Sequence, residues 1–361
     1  MNLIRNWIER HFSNPQIVGL LLLFVSLWLA LALLPTVSQP LLAAVVIAYL
    51  LEGPVAAMER RGVRRSLAAS TVWLLFYFGV MLALFMLLPQ LLRQITQFVQ
   101  EAPRLIEELQ IWLISLSQQY PTFFSDRQIE ELLGGGGLHL STVRDQLLVR
   151  TRLLGVGATY LVVYLILVPL IAFFMLKDKR QMLAWLRRFL PADISMIHQV
   201  WTEVDGQLAN YVRGKAIEIV IVGVVTYATF SLLGLGYAIL LGALTGFSVL
   251  VPYLGATVVT IPVAAVAYAQ FGVSSELAYV VLAYGVIQAL DGNVLVPVIF
   301  SEANNLHPVA IIIAVLFFGA ISGFWGVFFA IPLATVVAAV LRAWPSDAAM
   351  NASSPNAESQ P

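Results

Sequence analysis

From residue 216 to residue 341 the chain carries no lysine and no arginine, and only four acids: Glu218, Glu276, Asp291 and Glu302. A stretch so long and so poor in charge cannot cover itself with a water-facing surface, so it must fold against lipid. The whole chain agrees. Of its 361 residues 60% are hydrophobic and 11% charged, where soluble domains have about 45–50% and about 25%. Mean hydropathy is +0.87. These figures exclude an ordinary soluble enzyme, a disordered protein and a coiled coil. Twenty basic and twenty acidic side chains cancel, leaving no field to attract nucleic acid. With no cysteine there is no disulfide framework, Cys-ligated zinc or iron–sulfur cluster. The four histidines form no His-x-x-x-His pair, and no cofactor is expected.

About 20 apolar residues make one helical crossing. Ile17–Leu34 is the first candidate, and no small-residue cleavage site follows it. Pro40–Met58 returns, interrupted at Glu52-Gly53-Pro54. Ser66–Leu88 follows an arginine cluster, and Leu153–Leu176 precedes Lys177-Asp178-Lys179-Arg180. Basic residues collect at the amino terminus, in the 59–65 loop and in 177–215, which places those segments and both termini in the cytoplasm. The expected organisation is an amino-terminal membrane region (1–88), an extracytoplasmic helical insert (89–152) and a span (153–176). A cytoplasmic amphipathic linker (177–215), a carboxyl-terminal core (216–344) and a disordered tail (345–361) follow.

In the insert, Leu91, Leu92, Ile95, Phe98 and Val99, then Leu105, Ile106, Leu109, Trp112, Leu113 and Leu116, recur at helical spacing with Pro103 between the runs. Ser125 with Gln128 forms a capping-box pattern, and Gly134–Gly137 then breaks the chain. This insert packs on its own spans or neighbouring copies, or serves gating or recognition. No Gly-Lys-Ser/Thr follows the glycine run, and Gly214-Lys215 is followed by Ala216, so neither is a P-loop. In the linker, Trp185, Leu186, Phe189 and Leu190 pattern as one apolar face. Arg187-Arg188 suits anionic headgroups or a solvated helix face equally.

The carboxyl-terminal half holds ordinary spans at Ile219–Leu235 and Leu277–Ile299, and two 35-residue apolar stretches. Tyr237–Phe271 breaks at Val251-Pro252-Tyr253-Leu254-Gly255, and His307–Leu341 breaks within Gly319–Gly326. Split there, each arm is about 22–25 Å long at 1.5 Å per residue. Each stretch is therefore either two short full spans or a hairpin that enters and leaves on one side. The hairpin version repeats "span plus hairpin" with inverted orientation, as in many secondary transporters. Ile261-Pro262-Val263-Ala264 and Ile331-Pro332-Leu333-Ala334 recur at an offset of 70. Backbone freed at the breaks must be buried or line a wet cavity, while Gly242-x-x-x-Gly246 and Gly319-x-x-x-Gly323 permit close helix packing.

Asp291 lies inside an apolar run, before Gly292-Asn293 and Pro297. A carboxylate at that depth costs about 2.5–3.5 kcal/mol. It is therefore protonated, hydrated, or part of a cation or proton path; no base lies within 216–341 to offset it, though Arg213 and Lys215 can reach it from elsewhere. The expected substrate or ion path comprises Asp291, Asn293, Pro252, Tyr253, Gly255, Gly319, Ser322 and Gly323. Glu218, Arg213, Lys215 and Glu52 are secondary candidates. Glu218, one turn after Lys215, can also simply pair with it at the membrane surface, and Glu276 and Glu302 are expected in loops. No metal site is expected.

The order of motifs carries a resemblance. It runs Phe173-Phe174-Met175-Leu176-Lys177-Asp178, Tyr211-Val212-Arg213-Gly214-Lys215, Val251-Pro252-Tyr253-Leu254-Gly255, Asp291-Gly292-Asn293 with Pro297, His307-Pro308, and Gly319–Gly326 leading to Ala330-Ile331-Pro332. Over about residues 10–342 this resembles the autoinducer-2 exporter family of bacterial permeases. The resemblance implies an oligomeric inner-membrane transport protein of about eight spans. Its members are associated with export of autoinducer-2, some with sodium–proton exchange. The chain departs from the family at Lys215, where Gln is frequent, and at Asp291-Gly292, where Asn or Glu is frequent. The expectation is thus an all-α polytopic membrane protein, not an enzyme. It moves a small solute across the lipid bilayer, coupled to H+ or Na+; a membrane scaffold and a passive oligomeric pore are the alternatives.

Overall fold

The computed structural model describes residues 35–119, 154–188, 195–252, 254–300 and 307–343. The expected span at 17–34, the motifs at 125–137, Tyr253, Glu302 and the tail lie outside them. Every regular element described is helical. The helices are α1 (Pro35–Arg60), α2 (Arg65–Gln119), α3 (Leu154–Lys177), α4 (Lys179–Arg187), α5 (Ser195–Leu232), α6 (Ala238–Ser248), α7 (Leu254–Phe271), α8 (Ser275–Leu290), α9 (Val296–Phe300), α10 (Pro308–Phe328) and α11 (Ala330–Ala343). Between α8 and α9, Asp291–Leu295 form a π-helical turn.

Six helical segments among the described residues are long and apolar enough to cross a membrane: Val37–Arg60, Arg65–Glu101, Val204–Leu232, Leu254–Phe271, Ser275–Phe300 and Val309–Phe328. Their outward faces are greasy. Phe85 is 82% and Leu232 89% exposed, a surface that only lipid or another apolar body makes favourable. The chain is a multi-pass, all-α membrane protein.

Several expected boundaries fall inside continuous helices. α2 runs unbroken for 55 residues through Pro89 and Pro103, so the membrane segment and the first part of the 89–152 insert are one rod. A proline removes one N–H bond and bends a helix without having to end it; Pro89 lies inside the candidate span, where lipid offers the freed chain no better alternative. α5 likewise runs from 195 to 232 across the expected linker boundary at 215/216. α1 continues through Glu52-Gly53-Pro54. Glu276 stands in the first turn of α8 rather than in a loop, beside the Ser274 N-cap, whose hydroxyl accepts from the Leu277 N–H at 3.4 Å. That position favours an acid because the helix dipole is positive there.

The chain divides into two compact units, one of Met1–Ser70, Leu170–Arg213 and Glu302–Pro361, the other of Thr71–Pro169 and Gly214–Ser301. The second unit packs Phe230, Leu241, Val263, Val280 and Tyr284 into its core. There α5 meets α6 backbone to backbone: a Cβ on Gly246 would lie 2.7 Å from the Ile219 carbonyl oxygen and 3.0 Å from Gly223 Cα. This is the close approach expected of Gly242-x-x-x-Gly246. α6 has 11 residues, about 17 Å at 1.5 Å per residue, too short to cross a ~30 Å core by itself. It turns back toward α7 from residue 249, and Gly255 packs directly on the Ser248 carbonyl with no room for a Cβ. Neighbouring side chains hold the hairpin: Gln94 Oε1 of α2 accepts the Leu240 N–H at 2.9 Å, and Gln270 donates to Gly234 O and accepts from Gly236 N, both at 2.7 Å.

In the first unit, α10 is bent at Gly323 (φ 57°, ψ −135°), backbone geometry that L side chains avoid. A second interruption at Phe329 separates α10 from α11. Gly326 packs on the Phe318 carbonyl, the same device as Gly255 on Ser248. The expected break at 319–326 is thus a sharp kink at one glycine and a return over the preceding turn.

Candidate functional site

The interrupted helices leave backbone groups without partners, and at two prolines the structure supplies the missing donor from a side chain. Pro169 cannot bond the Leu165 carbonyl, and the Tyr77 hydroxyl donates to that oxygen at 3.3 Å. Pro332 frees the Phe328 carbonyl, and the buried Tyr211 hydroxyl donates to it at 2.8 Å. Two motifs far apart in sequence, around Tyr211 and around Ile331-Pro332, are therefore one interaction. Nothing in the spacing signalled it, although a proline in an apolar helix always asks which donor serves residue i−4.

The Leu277–Ile299 region, expected as an ordinary span, contains the π-turn. Pro297 cannot donate to residue 293, and the wider turn just before it absorbs the change of register. The Val296 N–H bonds the Asp291 carbonyl five residues back, and the exposed Asn293 amide donates to Ala289 O at 2.8 Å. Turns of this kind recur at functional sites. Gly292 and Pro297 are exposed.

Asp291 does not stand in a purely apolar setting. On α5, Lys215 is 5% and Glu218 1% exposed. Lys215 Nζ donates to Glu218 Oε1 at 3.1 Å and lies 2.8 Å from Oε2, the latter an ion contact without hydrogen-bond geometry. It also donates to the Val249 carbonyl at the α6–α7 turn, at 2.8 Å, and sits 5.4 Å from the centre of the Phe300 ring. Gly214 makes that ring position possible: a Cβ there would be 2.5 Å from Phe300 Cε1. The Lys215 ammonium acts electrostatically on Asp291, and Asp291 on Glu218. The expected pairing at the membrane surface is thus corrected on one point: the pair forms inside the protein.

Around this pair four buried side-chain atoms lack a hydrogen-bond partner among the described residues: Glu218 Oε2, Thr226 Oγ1, Gln288 Nε2 and Asp291 Oδ1. Gln288 and Asp291 are three residues apart; Glu218 and Thr226 are two turns apart on α5. Most buried polar groups in folded proteins are paired. A buried ion pair with such loose ends is a poor stability device, because desolvation offsets the attraction. Carboxylate oxygens and a hydroxyl oxygen in a low-dielectric setting can accept a proton or a small cation, and the Gln288 amide N–H can donate to a water. Thr226 and Gln288 were missed from sequence; their helical spacing to Glu218 and Asp291 was the available signal.

The other candidates are placed differently. Pro252 O accepts the Leu254 N–H at 2.7 Å in the hairpin turn, and Gly255 is buried beside it. Gly319 meets Val327, while Gly323 is exposed at the kink with Ser322 before it. Arg213 folds back on its own helix, donating to Ala209 O at 3.0 Å and Asn210 Oδ1 at 3.1 Å. Glu52 is drawn into a charged cluster, 3.0 Å from Arg65 Nη2 and 3.1 Å from Lys179 Nζ. Among the described residues no three His, Cys, Asp or Glu side chains gather as a metal site.

A family model described as "AI-2E family transporter" matches residues 17–346. The chain belongs to this family. It is 42% identical over 345 residues to an Escherichia coli (strain K12) protein named "Putative permease PerM", covering 96% of this chain and 98% of that one. It is 25% identical over 320 residues to the Bacillus subtilis (strain 168) protein "Putative transport protein YrrI", covering 88% of each. To "Putative transport protein YueF" of the same strain it is 26% identical over 345 residues, covering 91% of this chain and 92% of that one. Family membership together with the apolar helices points to a multi-pass membrane protein of a transporter family.

Proposed function

We propose that the chain is a secondary transporter carrying a small solute, such as a signalling molecule, across the bacterial inner membrane, as a homo-oligomer with both termini in the cytoplasm. Coupling to H+ or Na+ runs through Asp291 and Glu218. The observation that carries this reading is the set of buried, unpartnered polar atoms at the π-turn and α5. An acid at membrane depth is expensive to keep unless it meets water or an ion.

The physical account is a competition. Lys215 holds Glu218 and, through its third hydrogen, the Val249 carbonyl at the α6–α7 turn. A proton or cation arriving at Glu218 or Asp291 weakens the hold of the carboxylates on the ammonium. That frees Lys215 to release or tighten on Val249, so occupancy of the acids is read by the hairpin that contains Pro252 and Gly255. Asn293, bonded across the π-turn, belongs to the candidate solute path of this unit; the kink at Gly319, Ser322 and Gly323 is a separate candidate in the other unit.

The test is flux in proteoliposomes of the full chain, with autoinducer-2 as the first solute and an imposed pH or sodium gradient. Asp291→Asn abolishes gradient-dependent flux while insertion and folding persist. Undiminished flux in that variant removes Asp291 from the mechanism. Conductance without any gradient in the wild type would instead identify a passive pore.

A further inference from the structure

We propose that α4 is an interfacial helix seated on the membrane surface, and that together with the α1–α2 loop it forms a binding site for anionic phospholipid headgroups. α3 ends at Lys177, Asp178 leaves helical geometry (φ −103°, ψ 17°), and α4 begins one residue later. The 24 residues of α3 span about 36 Å at 1.5 Å per residue, more than a ~30 Å hydrocarbon core. α4 therefore starts where that core ends.

At 100° per residue, Met182, Leu183, Trp185 and Leu186 fall on one side of α4 and Arg180, Gln181, Arg187 and Arg188 on the other. No residue of α4 is buried. Trp185 is 58% and Leu186 52% exposed. Four large apolar side chains on a nine-residue helix, left uncovered beside a span, match the pattern of helices that lie in the interface plane, and tryptophan favours that depth.

The start of α4 is fixed and its end is not. Lys179 pairs with Glu52, and Arg180 with Glu59 at 3.4 Å. Both acids also hold Arg65, which donates to the Leu176 carbonyl at the end of α3 at 2.6 Å and 3.0 Å. This network anchors the helix against α1 and orients its apolar face. It also consumes both glutamates. Arg60, Arg61, Arg64, Arg187 and Arg188 remain exposed with no acidic partner among the described residues. A surface with that excess of guanidinium groups complements anionic headgroups, which arginine grips bidentately through their phosphates. A second copy of the chain would bring the same charges and be repelled.

The chain has no cysteine, so Leu186→Cys carries a single environment-sensitive fluorophore. The labelled full chain is placed in vesicles of phosphatidylcholine alone or mixed with phosphatidylglycerol. The expected result is a blue-shifted label, quenched by acyl-chain quenchers, with the shift stronger in the anionic vesicles and reduced by salt. Arg187→Gln and Arg188→Gln each lower the phosphatidylglycerol preference about five-fold. A label reporting water in both vesicles overturns the proposal. So does an apolar label indifferent to phosphatidylglycerol, since contact would then be with lipid in general. Shielding that persists in uncharged detergent and grows with protein concentration would assign the face to a second copy and overturn it as well. None of these readouts depends on transport.

Discussion

Lys215→Met is the sharpest test of whether the buried polar set is electrostatically coupled. The substitution keeps an unbranched apolar stem as far as Cε and deletes the ammonium, leaving Glu218, 1% exposed, without the cation that touches both of its oxygens. Removing one partner of a buried pair costs about 3–5 kcal/mol. The lost bond to Val249 and the lost contact with Phe300 are part of that figure, because all three interactions share one nitrogen. There is also a ceiling. Glu218 can neutralise itself by taking up a proton, and at pH 7 that costs an ordinary glutamate of pKa about 4.3 roughly 3.7 kcal/mol. The expected loss is therefore about 3–4 kcal/mol at pH 7. It falls by about 1.4 kcal/mol per pH unit, to near 1 kcal/mol at pH 5. The sign follows from the escape route: acid supplies the proton that replaces the missing ammonium. Reversible unfolding in mixed micelles, followed by tryptophan fluorescence, reads these values, and Lys215→Met/Glu218→Met should recover most of the loss. A cost below about 1 kcal/mol at pH 7, or one that does not change between pH 5 and 7, would refute the coupling.

Tyr211→Phe leaves the Phe328 carbonyl, already freed by Pro332, without its donor, and should cost about 1–3 kcal/mol. Adding Pro332→Ala returns an N–H to that carbonyl and should restore part of the loss in the same unfolding assay. Gly246→Ala places a methyl 2.7 Å from the Ile219 carbonyl and 3.0 Å from Gly223 Cα, forcing α5 and α6 apart at about 1–3 kcal/mol. Gly285→Ala, where nothing lies within 4 Å, serves as its control and should be neutral or stabilise by up to about 1 kcal/mol.

Helix content, the apolar spans and the break within 251–255 were legible because each follows from local composition. The apolar residues of 237–271 can form nothing but helix in lipid, and Pro252 with Gly255 marks where they stop. The run through Pro89 and Pro103 was not legible: whether a proline ends a helix depends on what the flanking turns can gain elsewhere, and lipid offers them little. The π-turn escaped for the same reason, since Pro297 signals an interruption but not its form. At the site, Asp291 was visible from its cost alone. Its company was not, because Lys215 and Glu218 come near it only through the packing of α5 on α8, fixed by long-range contacts such as those joining Val222, Val249 and Ile287.

The pattern of satisfaction across the interrupted helices points to one place. Where Pro169 frees Leu165, Tyr77 answers; where Pro332 frees Phe328, Tyr211 answers; where the π-turn shifts register, Asn293 answers Ala289. These repairs show that the chain has donors available when a break is only structural. The polar side chains on α5 and at the π-turn are left unrepaired, although Gln288 carries a donor and Asp291 an acceptor three residues apart. Leaving a buried donor or acceptor unpaired costs about 1–3 kcal/mol each, so these groups gain most from a partner that arrives during a working cycle. On the function proposed above, that partner is a proton, a small cation or water at the acids and the hydroxyl, and water at the Gln288 amide.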